Sequence, residues 1–148
     1  MLNQTQVTIR KAVNSDFTEI LNLYKQLWNN WQYFDEEKLK TIYQTDLETG
    51  RKQYLVAQKD NKIVGVCSLT IKNNWHYLKV ADLEELIVDI NHRHQGIGKM
   101  LLEEVLKVAR ENKCYRIQLH SHATRIETHK FYESNGFEKS PFYFTKKC

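Results

Sequence analysis

Residues 80–120 constrain the fold more than any other part of the chain. An apolar strand, Val80-Ala81-Asp82-Leu83-Glu84-Glu85-Leu86-Ile87-Val88, runs into the glycine-containing loop Asn91-His92-Arg93-His94-Gln95-Gly96-Ile97-Gly98. Residues 99–112 then read as a helix, with Ile97, Leu101, Val105, Val108 and Ala109 facing inward. After it, Tyr115, Ile117 and Leu119 alternate with Arg116, Gln118 and His120, the period-2 pattern of a strand. A helix-length connection returns the chain parallel to the strand it left, so this segment is a βαβ unit whose crossover is expected to be right-handed.

The rest of the chain supplies an antiparallel meander and two layers of helix. Residues 7–12 alternate as a short strand, and Asn14-Ser15-Asp16, with Glu19 three residues on, predicts the start of a helix near residue 16. Phe17, Ile20, Leu21, Tyr24, Leu27, Trp28 and Trp31 follow helical spacing and form its buried stripe, with an end expected near Asn29-Asn30. A second, less regular helix is expected within residues 31–49. Tyr54-Leu55-Val56-Ala57 and residues 63–71, joined across the polar turn 59–62, form a hairpin, and a strand over 77–88 completes the meander. A last helix over 125–135 is closed by Gly136, and Phe142-Tyr143-Phe144-Thr145 predicts a final strand. Neither repeat nor linker interrupts the 148 residues, so residues 1–148 are expected to form one α/β (α+β) domain.

Composition excludes several classes. The net charge, 22 − 18 = +4, is dispersed, so no nucleic-acid partner is expected. No stretch approaches the roughly 18 apolar residues of a membrane span, and the first six residues lack a secretory signal, which predicts a cytoplasmic protein without a membrane partner. Cys67, Cys114 and Cys148 are odd in number and far apart, as befits reduced structural thiols. His92-x-His94 and His120-x-His122, with His129, offer a rival zinc reading, disfavoured because a His-x-His pair needs a third ligand; no metal is expected.

Two features carry chemistry. Gly96 and Gly98 let the backbone approach a ligand closely, and the free N–H groups of the following helix make a cradle suited to a pyrophosphate. The two common nucleotide fingerprints do not fit: the third glycine of one would be Leu101, and Gly98-Lys99 is followed by Met100. Asp82, Glu84 and Glu85 stand in an apolar strand, a costly place for carboxylates unless they face a cleft. Asp82 and Glu84 share one face by alternation; Glu85 takes the other unless a bulge intervenes.

Taken together and in this order, the motifs resemble the GCN5-related N-acetyltransferase (GNAT) family over nearly the whole chain. Ile9-Arg10-Lys11-Ala12 with Asp16 is similar to its first strand and helix start, Leu86-Ile87-Val88 before Arg93-x-x-Gly96-x-Gly98 to its cofactor strand and loop, and Phe131-Tyr132-Glu133-Ser134-Asn135-Gly136-Phe137 to its Phe-Tyr-Glu-x-x-Gly-Phe ending. The resemblance implies a central mixed, mostly antiparallel twisted sheet flanked by helices, with a splayed parallel strand pair holding acyl-CoA. It implies acetyl transfer from acetyl-CoA, as cosubstrate, to a primary amine of a small molecule by direct attack. A protein or peptide amine, or a non-catalytic acyl-CoA sensor, are the alternatives. Leu86, Ile87 and Val88 would meet the pantetheine arm, and His94, Gln95, Gly96, Ile97, Gly98 and Lys99 would wrap the pyrophosphate, with charge from Arg93 and Lys99. Tyr132 would be the general acid and Glu84 the general base, the related glucosamine-phosphate acetyltransferases having a similar Glu-Asp-aliphatic strand. Many members carry Asn where Arg125 stands, which leaves Arg125 a ligand only by position. Trp28, Trp31, Tyr33 and Phe34, with Asp35, Glu36 and Glu37 nearby, are the residues expected around the acceptor. Dimerisation through the last strand is a family habit that the sequence leaves open.

Overall fold

The computed structural model describes residues 6–139 and 146–147. The expected strand at 142–145 and the third cysteine, Cys148, lie outside the described residues. In chain order the elements are β1 (Thr8–Lys11), α1 (Phe17–Leu27), α2 (Glu36–Thr49), β2 (Gln53–Lys59), β3 (Lys62–Asn74), β4 (Leu78–Val88), α3 (Ile97–Glu111), β5 (Arg116–Leu119) and α4 (Ile126–Ser134). Single 3-10 turns at Asn14–Asp16, Trp31–Tyr33 and Ile90–His92 link them.

The strands form one sheet in the order β1-β2-β3-β4-β5, antiparallel except for the parallel pair β4–β5. Each face buries its own cluster. On one, Leu55, Cys67, Leu69 and Leu83 pack against Ile97, Leu101 and Val105 of α3, with Phe131 and Tyr132 of α4 at the margin. On the other, Tyr54, Val56, Val66 and Ile87 meet Ile20 and Leu23 of α1 and Tyr43 of α2. The five α3 positions expected to face inward are all buried.

Helix α1 starts where expected, at Phe17 after Asp16, but differs in its cap and in its end. It stops at Leu27, because Trp28 adopts extended backbone, so Trp31 leaves the stripe for a surface turn. Asp16 does not cap α1. Its carboxylate takes Arg10 Nη1 and Nη2 at 2.7 and 3.0 Å and the Val13 N–H at 2.8 Å, tying β1 to the start of α1. Glu19, three residues on, accepts instead from the Ile63 N–H at 2.8 Å and anchors the β2–β3 hairpin. Helix α2 begins later than residue 31, at Glu36, because Asp35 caps it through the Lys38 N–H; Gly50, at φ 65°, ends it. Two of the three carboxylates expected near an acceptor thus have structural partners: Asp35 is this cap, and Glu36 pairs with Lys25 at 2.9 Å.

Asp16 is almost wholly buried, and its hydrogen bonds from Arg10, then from Val13, outweigh burial and hold its carboxyl below the usual range. Asp16→Ala leaves Arg10 facing a half-buried gap and is expected to cost about 2–3 kcal/mol in urea unfolding. The stability Asp16 contributes is complete above an unfolded carboxyl value of about 4 and disappears as pH falls through its lower folded value. Acid titration of the wild type and of Asp16→Asn should therefore converge below about pH 4; parallel curves down to pH 2 would refute this role.

Candidate active site

The parallel pairing of β4 with β5 runs only from Val80↔Arg116 to Leu83↔Leu119. Beyond it β4 continues to Val88 with no strand beside it on that edge among the described residues. Leu86, Ile87 and Val88, predicted to meet a pantetheine arm, lie on this stretch. Peptide groups left without a strand must find water or a ligand, and an extended amide chain satisfies them as an added strand would. One of these groups is already taken, since Arg93 Nε donates to the Val88 carbonyl at 3.1 Å and holds the loop against the strand end.

The loop follows directly. Gln26 of α1 grips it, its amide donating to Asp89 Oδ1 and accepting from the Ile90 N–H. His94 and Gly96 both have positive φ, 60° and 80°, which turns the chain into α3 with Gly96 as its first flanking residue. No side chain caps this terminus and no acid stands in its first turn, so the N–H groups of Ile97, Gly98 and Lys99 are presented without a competing anion. A Cβ on Gly98 would come within 3.1 Å of the Phe131 ring, so glycine there lets α4 close over the helix start. Gln95 extends to Lys59 Nζ at 3.5 Å. A bare helix terminus beside an unpaired strand edge fits acetyl-CoA: the first suits its phosphates, the second its amide-bearing arm.

Between these parts lies an irregularity. Ser68 pairs with Glu84 and Val66 with Ile87, so two steps on β3 face three on β4. The extra residue is accommodated at Glu85, whose φ is 44°. The bulge is the exception to alternation that the sequence left open for Glu85. Leu83, Leu86 and Val88 all reach the α3 face, Ile87 the α1 face, and Glu85 joins Glu84 on the α1 side. Lys52 Nζ bridges the two carboxylates, 2.7 Å from Glu84 Oε2 and 2.9 Å from Glu85 Oε2. The buried Ser68 hydroxyl donates to Glu85 Oε2 at 2.6 Å. Asp82, one turn of the pleat earlier, is occupied by Lys72 and by Gln118 Nε2, the latter at 2.6 Å.

A cavity of about 260 Å³ opens above Glu85, walled by α1 and α2. Trp28 and Phe34 line it, as the sequence suggests, whereas Trp31 and Tyr33 are exposed away from it. Glu85 lines it and Glu84 does not. Tyr24, Lys52 and Ser68 escaped the sequence reading as site residues; a lysine ahead of a strand and a serine within one carry no distinguishing pattern.

Tyr132 lies on the opposite face, packed edge-on to Phe131 and Phe137 beside Cys67. Burial, with Cys67 adding and Arg125 opposing, pushes its phenol up to about 12. Arg125 itself donates to the Leu27 carbonyl at 3.2 Å, pinning α4 to the end of α1. The histidines do not converge: His92 Nδ1 is 2.8 Å from Asp89, His122 Nδ1 is 2.9 Å from Thr124, and no group of three or more His, Cys, Asp or Glu suited to a metal occurs among the described residues.

Over 139 residues the chain is 27% identical to the aminoalkylphosphonate N-acetyltransferase of Salmonella typhimurium, covering 93% of this chain and 89% of that protein. The fold is shared with a Trypanosoma brucei acetyltransferase (TM-score 0.80, 24% identity, 97% of this chain and 100% of that one). It is shared also with the aminoglycoside N-acetyltransferase AAC(6')-Iy in complex with CoA (TM-score 0.87, 18% identity, 100% and 99%). The model of the acetyltransferase (GNAT) family matches residues 17–137. With the parted strands, the uncapped helix and the match across most of its length, the chain belongs to the GNAT family of acetyltransferases and is an acetyl-CoA-dependent acyltransferase.

Proposed function

We propose that the chain transfers the acetyl group of acetyl-CoA to the primary amine of a small molecule held in the cavity above Glu85. The observation that carries this reading is the β4 bulge, which brings a carboxylate to the floor of a cavity beside the strand edge suited to the pantetheine arm. Acetyl-CoA supplies a thioester carbonyl and a thiolate leaving group. Leu86, Ile87 and Val88 align the arm, and the N–H groups from His94 to Lys99, with the charges of Arg93 and Lys99, hold the phosphates. The amine enters as an ammonium and gives a proton to the carboxylate pair Glu84 and Glu85, with Glu85 the member in contact with it. A backbone N–H near Val88 polarises the carbonyl. The amine nitrogen forms the C–N bond, the C–S bond breaks with its electron pair leaving on sulfur, the departing thiolate takes the Tyr132 proton, and the second nitrogen proton, shed as the amide forms, returns through solvent to the Tyr132 phenolate.

A phenol near 12 is a weak donor to an exposed thiolate whose acid titrates near 8.5. The gap narrows in this setting, because burial raises thiols as well as phenols: that of Cys67, beside Tyr132, is pushed strongly upward by burial alone. Free Cys67 and Cys114 suit a reducing compartment, and a cytoplasmic setting is part of the proposal. No helix among the described residues is long and apolar enough to cross a membrane.

Saturating acetyl-CoA, at about 100 times its Kd, should raise the thermal midpoint by roughly 5–10 °C. Gly98→Glu, which drives a side chain into Phe131 and a carboxylate into the phosphate cradle, should abolish that rise. Absence of any rise in the wild type, with no heat of binding, would sink the transferase reading. In steady-state assays of thiol release, Tyr132→Phe should lower kcat about 100-fold, near 2.7 kcal/mol, with the acetyl-CoA Kd unchanged. Glu85→Gln should lower kcat/KM for the amine by a larger factor than Glu84→Gln; the reverse order would move the base to Glu84. Because the phenol stays protonated to about 12, no alkaline loss of kcat attributable to Tyr132 is expected up to pH 10.

A further inference from the structure

The cavity has a composition that selects among amines, and the argument rests on the acyl-transfer reading above. Its walls are aromatic and aliphatic side chains, chiefly Trp28, Phe34, Tyr43 and Tyr54, and its charged members are Lys52 and Glu85 at the floor. Lys52 is already shared between Glu85 on the floor and Glu84 behind it, so this triad carries two negative charges against one positive charge. One further cation balances it. A phosphate-bearing amine would bring an anion to a lysine that two carboxylates already occupy, and a polyamine would bury further ammonium groups against apolar walls.

A second observation points to the same spot. The Tyr24 hydroxyl is wholly buried at the cavity with no hydrogen-bond partner among the described residues, an arrangement that costs free energy unless a ligand completes it. Its polar neighbours are Glu85 and the Ser68 hydroxyl, the latter close enough for a weak interaction but outside ordinary hydrogen-bond geometry. A phenol oxygen accepts an N–H bond, so Tyr24 and Glu85 together offer two acceptors to one ammonium. Size sets the third limit. An apolar cavity of about 150 Å³ holds benzene, so about 260 Å³ encloses a benzene ring with a short side arm, whereas a multi-ring aminoglycoside would leave most of its rings outside the mouth.

We propose that the acceptor is a compact arylalkylamine, its ring packed against the edge-to-face pair Trp28 and Phe34, whose centroids are 5.7 Å apart, and its single ammonium held by Glu85 and the Tyr24 hydroxyl. The test uses the full chain with acetyl-CoA and follows thiol release with 2-phenylethylamine, spermidine, 2-aminoethylphosphonate and kanamycin. 2-Phenylethylamine should be acetylated with a kcat/KM at least 100-fold above each of the others. Trp28→Ala and, independently, Phe34→Ala should each raise its KM at least tenfold while leaving the acetyl-CoA Kd unchanged. Tyr24→Phe should raise the KM several-fold while raising the thermal midpoint of the free protein, since it removes the orphaned hydroxyl. A polar amine matching 2-phenylethylamine, or KM values unmoved in both aromatic variants, would overturn the arylalkylamine assignment and leave the transferase reading standing. If acetyl-CoA binds but no amine is acetylated, calorimetry with 2-phenylethylamine decides: binding weakened by Trp28→Ala supports the assignment, and no binding overturns it. Failure of acetyl-CoA itself to bind would overturn the underlying reading.

Discussion

The hydrogen-bonding capacity of the β4 backbone is the constraint on which this molecule is organised. A strand in the middle of a sheet must satisfy both edges, and β4 does so only as far as Leu83↔Leu119. Past that point one edge remains linked to β3 while the other opens. Everything useful is gathered at the opening: the uncapped start of α3, the Arg93 clasp on Val88, and the carboxylates of the bulge. A fully paired β5 would stabilise the sheet further and remove the place where an amide-bearing ligand can lie.

The bulge is the second consequence of that geometry. Strict alternation would have sent Glu85 into the apolar layer beneath α3, alongside Leu83, where a carboxylate has no compensating partner. One extra residue turns it toward α1, where Lys52 and Ser68 receive it. The positive φ at Glu85 is the strain that accompanies this placement, and the apolar contacts of Leu86, Ile87 and Val88 on either side hold it. Stability and site therefore depend on the same few residues of β4. The ties formed by Arg10 with Asp16, by Glu19 with Ile63 and by Gln26 with the loop keep the surrounding elements in register with that strand.

Much of this could be read from one dimension. The order of strands and helices follows from periodicity, the parallel return of β5 from the length of the α3 connection, and the inward face of α3 from its spacing. The glycine loop and the Phe-Tyr-Glu-x-x-Gly-Phe segment pointed to the family because their order along the chain is itself specific. The readings that changed depend on competition between distant partners. Asp16 is an attractive cap by local rules, yet Arg10 offers a charged, bidentate partner and wins it; Glu19 is drawn away by an unpaired N–H on the hairpin. Trp31 has the right spacing for the α1 stripe but lies beyond the point where the helix ends.

The site divides along the same line. Local sequence determined the chemistry available: a phosphate-sized glycine turn, an acidic doublet in an apolar strand, and a tyrosine between aromatic neighbours. The doublet even leaves a trace of the bulge, since Leu83, Leu86 and Val88 share a face at spacings of three and then two. What only the tertiary structure decided is which carboxylate meets the cavity, that Lys52 joins the pair from the residue just ahead of β2, and that the Tyr24 hydroxyl lacks an ordinary hydrogen-bond partner among the described residues. Those outcomes depend on how three strands and two helices share one small volume, and pairwise distances across a fold are not encoded in the period of any single segment.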